Sequence, residues 1–290
     1  MKNRNFLELM KAQWSRGNFV CVGLDSEYQK IPPAAKRRTI CETIIAFNEA
    51  IISATKDLVC AYKPNIAFYE AHGNAGLIAL RETIKYILDV APEVPVILDA
   101  KRADIGNTNT GYVQEAFTFL QADAITVSPY LGAEALQSFL AEADKGIFVL
   151  CRTSNPGAGE FQDLLVRRTD HLSHLHLEDE QPIPLYQDVA RRVAHRWNEK
   201  GNCALVVGAT YPDELHAVRK IVGDMPILIP GIGEQGGDIR QTVSAGKDSR
   251  GQGMIINSSR GIIFASEGVD FAEVARRETK KLHELVNIYR

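Results

Sequence analysis

The amino-acid sequence predicts an α/β protein that folds as a single (β/α)₈ TIM barrel. Eight short runs of apolar and β-branched residues recur along its 290 residues, and segments of helical periodicity separate most of them. The runs are continuously apolar, which is typical of parallel strands buried on both faces. Because eight strands that alternate with helices indicate a closed barrel, residues 1–290 are expected to form one domain.

The predicted elements start with an extra N-terminal helix, whose apolar residues include Phe6, Met10 and Trp14. The eight strands follow at 19–25, 58–65, 94–101, 124–130, 146–154, 203–210, 226–233 and 253–261. Helices are predicted at 39–58, 76–90, 113–120, 133–143, 185–200, 212–222 and 271–289. A polar insertion after strand 5, at about 160–184, is expected to be an irregular loop.

The alternative architecture is a doubly wound open sheet, which usually carries a Gly-rich dinucleotide turn after its first strand. The first predicted strand ends in VGLDSEYQ, which has no G-x-G-x-x-G pattern. The chain also lacks a Pro/Gly/Ser-rich linker long enough to divide two domains. Both observations favour the barrel.

The composition excludes several classes of protein. The chain has 33 Lys and Arg against 36 Asp and Glu, so it lacks the positive surplus of a nucleic-acid binder. It contains no run of about 18 apolar residues that could cross a membrane. Its five cysteines form no C-x-x-C pair, which indicates buried thiols in a reducing compartment. We therefore expect a cytoplasmic protein without a metal site and without a nucleic-acid or membrane partner.

The densest group of charges is the run LDAKRAD in and after the third strand. Asp99 and Lys101 are two residues apart, so on a strand both side chains point into the mouth of the barrel. Asp104 follows in the loop, and Lys63 lies near the end of the neighbouring strand. These four groups predict an alternating ammonium–carboxylate array, in which a lysine can act as a general acid toward a carbanion. The structural alternative is an ion pair that closes the barrel, with Asp104 as a helix cap.

The seventh and eighth strands end in PGIGEQGGD and NSSRGI. Barrels often bind phosphate between these two loops, at the start of a helix. The glycine-rich turn therefore predicts open backbone N–H groups for an anion, and Arg260 predicts a cation beside them. The alternatives are a simple turn for the glycines and a surface salt bridge for Arg260.

Three more strand ends carry polar side chains that each fit two roles. Asp25 fits a helix N-cap or an acceptor for a sugar hydroxyl. Ser128 fits the start of a turn before Pro129 or a hydroxyl that meets a substrate ring. Arg152 fits a substrate contact or an ion pair in the mouth.

The sequence resembles the orotidine 5′-phosphate decarboxylase family over most of its length. LDAKRADIGNT is similar to the family's D-x-K-x-x-D signature, and VGLD, YKPNIAFYE, TVSPYLG, VVGAT, PGIGEQGGD and NSSRGI agree with it in the family's order. Hexulose-phosphate synthases also contain the triplet, so its combination with Lys63 in YKPN and with PGIGEQGG carries the resemblance. The VVGAT strand and the chain length are similar to the type 2 (group III) branch.

The resemblance implies cofactor-free decarboxylation of orotidine 5′-phosphate to uridine 5′-phosphate, the last step of de novo pyrimidine synthesis. It implies that Lys101 protonates C6 of the pyrimidine and that Asp99 lies beside the substrate carboxylate. It also implies that Lys63 orders the charges and approaches the ribose, that Asp25 binds ribose hydroxyls and that Ser128 binds the pyrimidine.

Three further residues are implied to hold the 5′-phosphate, namely Gln235, Ser259 and Arg260. The resemblance also implies a homodimer in which Asp104 and Thr108 reach into the site of the partner subunit.

The residues themselves leave two other functions open. One is a phosphosugar lyase, which is either metal-assisted like the hexulose-phosphate synthases or an aldolase that uses Lys101 or Lys63 as a Schiff base. The other is a barrel that senses a phosphorylated ligand without turnover, because barrels host many chemistries.

Overall fold

The structure, a computed structural model, describes residues 4–167, 181–232 and 237–290. Within these residues the strands are β1 (Val20–Gly23), β2 (Val59–Lys63), β3 (Ile97–Arg102), β4 (Ala124–Val127), β5 (Gly146–Arg152), β6 (Leu165–Val166), β7 (Ile183–Pro184), β8 (Cys203–Val207), β9 (Ile227–Pro230) and β10 (Met254–Ser258). Eight of them form one parallel sheet in the order β2-β1-β10-β9-β8-β5-β4-β3. Each of the eight predicted strands is present, which confirms the barrel.

The helices are α1 (Phe6–Ser15), α2 (Ile40–Thr55), α3 (Ala67–Glu70), α4 (Gly73–Val90), α5 (Gly106–Val113), α6 (Gly132–Ala135), α7 (Gln137–Leu140), α8 (Gly159–Gln162), α9 (Leu185–Arg192), α10 (Pro212–Val222), α11 (Ile239–Gly246), α12 (Arg260–Ile263) and α13 (Phe271–Tyr289). Short 3₁₀ turns span Tyr28–Lys30, Pro33–Ala35 and Pro156–Ala158, and π-helical turns extend α5 over Gln114–Phe119 and α9 over Val193–Trp197. None of the described helices combines the length and the apolar character needed to cross a membrane.

Helix predictions are accurate where local signals mark the ends. At the start of α2, Thr39 and Glu42 form a capping box, in which each side chain accepts a hydrogen bond from the backbone N–H of the other. The predictions at 212–222 and 271–289 agree with α10 and α13. These ends depend on short-range hydrogen bonds and on apolar spacing, which a sequence displays directly.

Two helix predictions are wrong in their bounds. The helix predicted at 113–120 begins already at Gly106, because the first turns of α5 read GNTNT and offer no apolar periodicity to detect. A polar contact positions them instead: the buried amide of Asn109 donates to the carbonyl oxygen of Ala135. The helix predicted at 133–143 consists of two short helices, α6 and α7.

The barrel closes between β2 and β3 through backbone hydrogen bonds. Tyr62 N–H donates to Pro95 O at 3.1 Å, lower in the seam. At the mouth, Asp99 N–H donates to Pro64 O at 2.9 Å, and Ile66 N–H donates to Asp99 O at 3.2 Å. Asp99 thus uses both of its backbone polar groups to hold the chain that follows β2.

The extra N-terminal helix covers the end of the barrel opposite the mouth. Trp14 Nε1 donates to the carbonyl of Met254 at 2.9 Å, at the start of β10. The ring of Phe6 meets Phe148 edge to face, with 5.4 Å between ring centroids. A glycine is needed at position 146 because a Cβ there would stand 2.5 Å from the ring of Phe6. Helix α1 is therefore part of the packed core.

The segment after β5 contains regular structure where it is described, which corrects the prediction of an irregular loop. Helix α8 follows β5, and β6 pairs with β7 in an antiparallel sheet of two strands. Residues 168–180, in the middle of the predicted insertion, lie outside the described residues.

Phe6→Ala is expected to lower the free energy of unfolding by about 3–5 kcal/mol, because it removes a buried ring and leaves a cavity. Urea denaturation followed by circular dichroism measures this change. Lys11→Ala, at an exposed position of the same helix, is the control and should change stability by no more than about 0.5 kcal/mol. Equal stability of the two variants would contradict a core role for α1.

Candidate active site

Lys63, Asp99 and Lys101 form a row of alternating charge at the mouth of the barrel, which we call the charged row. Lys63 Nζ lies 3.0 Å from Asp99 Oδ2, and Lys101 Nζ lies 2.7 Å from Asp99 Oδ1. Lys63 and Asp99 are buried, whereas the side chain of Lys101 is 49% exposed. Each oxygen of one carboxylate therefore pairs with its own ammonium, and the ammonium of Lys101 remains accessible to a ligand.

Burial and charge act in opposite directions on this row. Burial lowers the pKa of Lys63, but the Asp99 and Asp25 carboxylates outweigh this effect and raise the pKa above its ordinary value. Burial raises the pKa of Asp99, but Lys63 and Lys101, with their hydrogen bonds, hold it well below its usual range. Lys63 and Asp99 are therefore both charged near neutral pH.

Lys101 reaches Asp99 through an irregularity in β3 rather than through strand alternation alone. Strand β3 pairs with β4 up to Leu98 and again at Arg102, with a register shift between the two pairings. Inside the shift, Lys101 has a φ of 49°, in the left-handed region that non-glycine residues seldom adopt. The contact between the two predicted residues is therefore confirmed, although its geometric basis differs from the predicted one.

Thr126 on β4 holds this irregular segment in place. Its hydroxyl accepts hydrogen bonds from the backbone N–H groups of Ala100 and Lys101, at 3.0 and 2.9 Å. The same hydroxyl donates to Asp99 Oδ1 at 3.0 Å. Sequence reasoning missed Thr126, whose only signal is a hydroxyl within a buried apolar strand.

Asp25 supplies a second carboxylate beside the charged row. Its Oδ1 lies 3.9 Å from Lys63 Nζ and is buried without a hydrogen-bond partner. The N-cap alternative does not hold, because the 3₁₀ turn that follows has Glu27 at its cap position and no side-chain cap. The carboxylate instead lines a cavity at the mouth.

Asp104 does not join the charged row within one chain, which corrects the predicted array. Its carboxylate accepts the backbone N–H of Ile105 at 2.7 Å, and its own N–H donates to Asn109 Oδ1 at 2.9 Å. No ion pair links it to either lysine of the row, all three residues being among those described. Asp104 is half-buried before α5, and Thr108 is exposed in the first turn of that helix.

Two adjoining cavities open at the charged row. The larger has a volume of about 400 Å³ and extends over Lys101 toward Thr153 and Ser154. The smaller has a volume of about 170 Å³ and extends toward Arg260. Both are lined by Lys63, Asp99 and Pro230. One ligand can therefore occupy both cavities and cross the charged row between them.

Two of the hydroxyl groups that line the larger cavity follow β5, and a third belongs to Thr126 on β4. Ser128, which was predicted to bind a pyrimidine, accepts the backbone N–H of Tyr130 at 3.5 Å, as the turn alternative requires. Its contact with a substrate ring stays a prediction. Thr153 and Ser154 line the cavity, and sequence reasoning missed them although they directly follow Arg152 at a strand end.

Arg152 anchors the segment that follows β5. Its guanidinium is 3% exposed, lies 2.9 Å from the carboxylate of Asp163 and stacks 4.2 Å from the ring centroid of Tyr211. Next to it, Gln162 Oε1 accepts the N–H of Thr153 at 2.9 Å. The ion-pair alternative for Arg152 is therefore correct, and the pair holds α8 against the larger cavity.

The predicted phosphate-binding residues Ser259 and Arg260 line the smaller cavity, at the start of α12. Gly23 permits the approach of Ser259 to β1, because a Cβ at position 23 would stand 1.8 Å from Ser259 Oγ. Gln235 lies outside the described residues. An anion in the smaller cavity would therefore meet the guanidinium of Arg260.

The prediction of open backbone N–H groups in the glycine-rich turn falls mainly on residues 233–236, which lie outside the described residues. The helix that follows the turn, α11, has a side-chain cap at its N-terminus. Asp238 caps this helix and accepts the backbone N–H of Gln241 at 2.8 Å. A carboxylate at this point already occupies the position that an anion would take. Across the described ranges, His, Cys, Asp and Glu side chains form no group of three that could hold a metal ion.

Known proteins are similar to this chain in sequence and in architecture. Residues 18–275 match the family described as orotidine 5′-phosphate decarboxylase / HUMPS. The chain is 47% identical over 287 residues to the orotidine 5′-phosphate decarboxylase of Cellvibrio japonicus, with 99% of each covered, and 48% identical over 286 residues to that of Cupriavidus necator, with 98% of each covered. A solved OMP decarboxylase of Leishmania donovani has a TM-score of 0.81 at 36% identity and covers 98% of both chains.

Asp99→Asn is expected to destabilise the protein by about 3–5 kcal/mol at pH 7, because it leaves the buried ammonium of Lys63 without its nearest counter-ion. The native pKa of Asp99 is depressed, so its contribution is complete above the unfolded pKa of about 4 and is lost as the pH falls below it. The stability gap between wild type and variant should therefore narrow from pH 5 to pH 3.

Urea denaturation of both proteins across this pH range measures the gap. Asp89→Asn, at an exposed position of α4, is the control and should track the wild type at every pH. A gap that stays constant down to pH 3 would contradict the assignment of the low pKa to Asp99.

Proposed function

The chain belongs to the orotidine 5′-phosphate decarboxylase / HUMPS family, and we propose that it converts orotidine 5′-phosphate to uridine 5′-phosphate and CO₂ without a cofactor. This reaction is the last step of de novo pyrimidine synthesis. The observation that carries the proposal is the charged row, in which a buried carboxylate holds an accessible ammonium at the mouth of the barrel. That ammonium supplies both charge stabilisation and a proton.

Lys101 is the proposed general acid. When the bond between C6 and the carboxylate breaks, CO₂ leaves and the electron pair stays on C6. The Lys101 ammonium stabilises this charge and transfers a proton to C6, which leaves a neutral amine. Solvent then restores the proton, since the side chain is about half exposed. Asp99 fixes the ammonium beforehand, so little reorganisation accompanies the step.

The Schiff-base aldolase alternative requires a lysine that loses its proton near neutral pH. Burial favours this for Lys63, but Asp99 and Asp25 raise its pKa above the ordinary value. Lys101 donates a hydrogen bond of 2.7 Å to Asp99, so its ammonium is held in an ion pair. Both lysines are therefore better suited to an acid or electrostatic role than to nucleophilic attack.

The two cavities support an assignment of the two halves of the substrate. The larger one, with the hydroxyl groups of Thr153 and Ser154 and the apolar side chain of Leu150, suits the pyrimidine. The smaller one suits the ribose beside Asp25 and the 5′-phosphate beside Arg260. Ser259 and Gln235 complete the proposed phosphate site, and binding energy from this remote group can support the transition state.

We also propose that the active unit is a homodimer, in which Asp104 and Thr108 complete the partner's site. The loops that follow β3 and β4 support this. Ile105 is 65% exposed and Tyr130 is 88% exposed, with the apolar Leu131 exposed beside it. Large exposed apolar side chains in neighbouring loops are typical of a protein interface. Ile105 directly follows Asp104, whose carboxylate has no ammonium partner among the described residues of its own chain.

Location, domain organisation and branch complete the proposal. The five cysteines are free thiols, which supports function in the cytoplasm. Packing of α1 and α13 against the barrel supports one domain over 1–290. Membership of the type 2 (group III) branch stays a prediction from the VVGAT strand and the chain length.

Lys101→Ala is expected to lower kcat/KM by about 10³-fold or more, because both the proton donor and the charge at C6 are lost. The assay follows the loss of orotidine 5′-phosphate absorbance with EDTA-treated protein, and calorimetry with uridine 5′-phosphate should still detect binding. Lys85→Ala, at an exposed position of α4, should retain the wild-type rate. A near-normal rate in Lys101→Ala would disprove the acid role, and an inactive, folded wild type would disprove the function.

Mixing Lys101→Ala with Asp104→Ala tests the contribution of the partner subunit. Each variant alone should be nearly inactive, but a heterodimer contains one site with both residues intact if Asp104 acts across the interface. After subunit exchange, the mixture should regain about a quarter of the wild-type activity, since half of the dimers have one intact site of two. If Asp104 acts within its own chain, mixing restores nothing.

A further inference from the structure

Asn257 lies near the end of β10, with Cys21 of β1 and Pro230 of β9 as its partners in register. It is 7% exposed, and its side-chain oxygen Oδ1 is buried without a hydrogen-bond partner. A buried polar atom left unpaired destabilises the folded protein. A side chain with this cost at a strand end requires an explanation outside the packing of the barrel.

The side chain of Asn257 belongs to the smaller cavity. It lines this cavity together with Asp25, Lys63, Ser259 and Arg260. The amide therefore shares one cavity with the charged row and with the cation that was predicted to bind phosphate. Asp25 has the same property, because its buried Oδ1 also lacks a hydrogen-bond partner.

We propose that Asn257 is a further substrate-binding residue, whose side-chain amide forms a hydrogen bond with a ribose hydroxyl of the nucleotide. This inference rests on the proposed function and names a residue that the family resemblance does not include. A fully ionised phosphate offers acceptors only and cannot satisfy an acceptor oxygen. A hydroxyl both donates and accepts, so it matches the amide in either of its two orientations. Asn257 and Asp25 thus offer two groups to the two hydroxyls of a ribose.

Asn202 provides a matched comparison. It is also a buried asparagine whose Oδ1 lacks a partner, but it directly precedes β8, at the end of the barrel away from the mouth. Its Nδ2 donates to the carbonyl oxygens of Leu140 and Glu142, at 3.3 and 3.0 Å. Asn202 therefore has structural partners within the fold, whereas Asn257 faces the ligand cavity.

The test compares Asn257→Ala and Asn202→Ala with the wild type by calorimetry and thermal unfolding. For Asn257→Ala, the Kd of uridine 5′-phosphate should rise about ten- to hundredfold, while Tm stays equal or increases, because the folded protein loses no hydrogen bond. For Asn202→Ala, Tm should fall and Kd should stay unchanged. An unchanged Kd in Asn257→Ala, with or without a change in Tm, would overturn the inference.

Deoxy analogues identify the bonded group. In the wild type, either the 2′-deoxy or the 3′-deoxy form of uridine 5′-phosphate should have a higher Kd than the parent nucleotide. The ratio of these two Kd values should fall about tenfold in Asn257→Ala. If Asn257→Ala keeps the full preference against both analogues, the hydroxyl assignment is wrong.

Turnover of orotidine 5′-phosphate separates this inference from the proposed function. A wild type that decarboxylates, together with Asn257→Ala at an unchanged kcat/KM, would disprove the inference alone. A folded wild type that does not decarboxylate would disprove the proposed function, and the nucleotide titrations would still decide whether Asn257 binds a ribose hydroxyl.

Discussion

Asp99 is the residue on which the active end of the barrel depends. The backbone N–H and C=O of Asp99 hold the chain that follows β2 and close the seam between β2 and β3. Its side chain pairs with Lys63 and Lys101 through separate oxygens. A buried carboxylate is costly without such partners, and the buried Lys63 depends on it in turn. Closure of the barrel at its mouth and ordering of the charged row are therefore coupled through one residue.

The end of β3 shows how the fold brings a reactive group out of a tightly packed barrel. A register shift and a left-handed backbone at Lys101 depart from regular strand geometry, and the hydroxyl of Thr126 stabilises the departure. Residues in sparsely populated backbone regions concentrate at functional sites, where their surroundings hold them. Here the backbone is fixed while the ammonium remains half exposed, so a rigid scaffold presents an accessible cation.

The two ends of the site are built on different physical principles. At the larger cavity, a buried ion pair between Arg152 and Asp163 fixes the chain after β5, and with it the hydroxyl of Ser154. At the smaller cavity, the Asn257 and Asp25 oxygens lack hydrogen-bond partners within the fold. The first end is held by an ion pair within the fold and suits a role in shaping the cavity, whereas the second is the end that we propose a ligand completes. Affinity for the sugar and phosphate should therefore come largely from the smaller cavity.

The sequence by itself determined the barrel and the charged row. Strands buried on both faces appear as continuous apolar runs, caps such as that of Thr39 and Glu42 mark helix ends, and position along a strand decides which residues reach the mouth. Only the tertiary structure decided that Asp25 rather than Asp104 meets Lys63 in the same chain, that Ser154 lines the larger cavity while Ser128 begins a turn, and that Asn257 is buried without a partner. These contacts depend on the register between strands far apart in the chain, and a local pattern of residue types contains no information about that register.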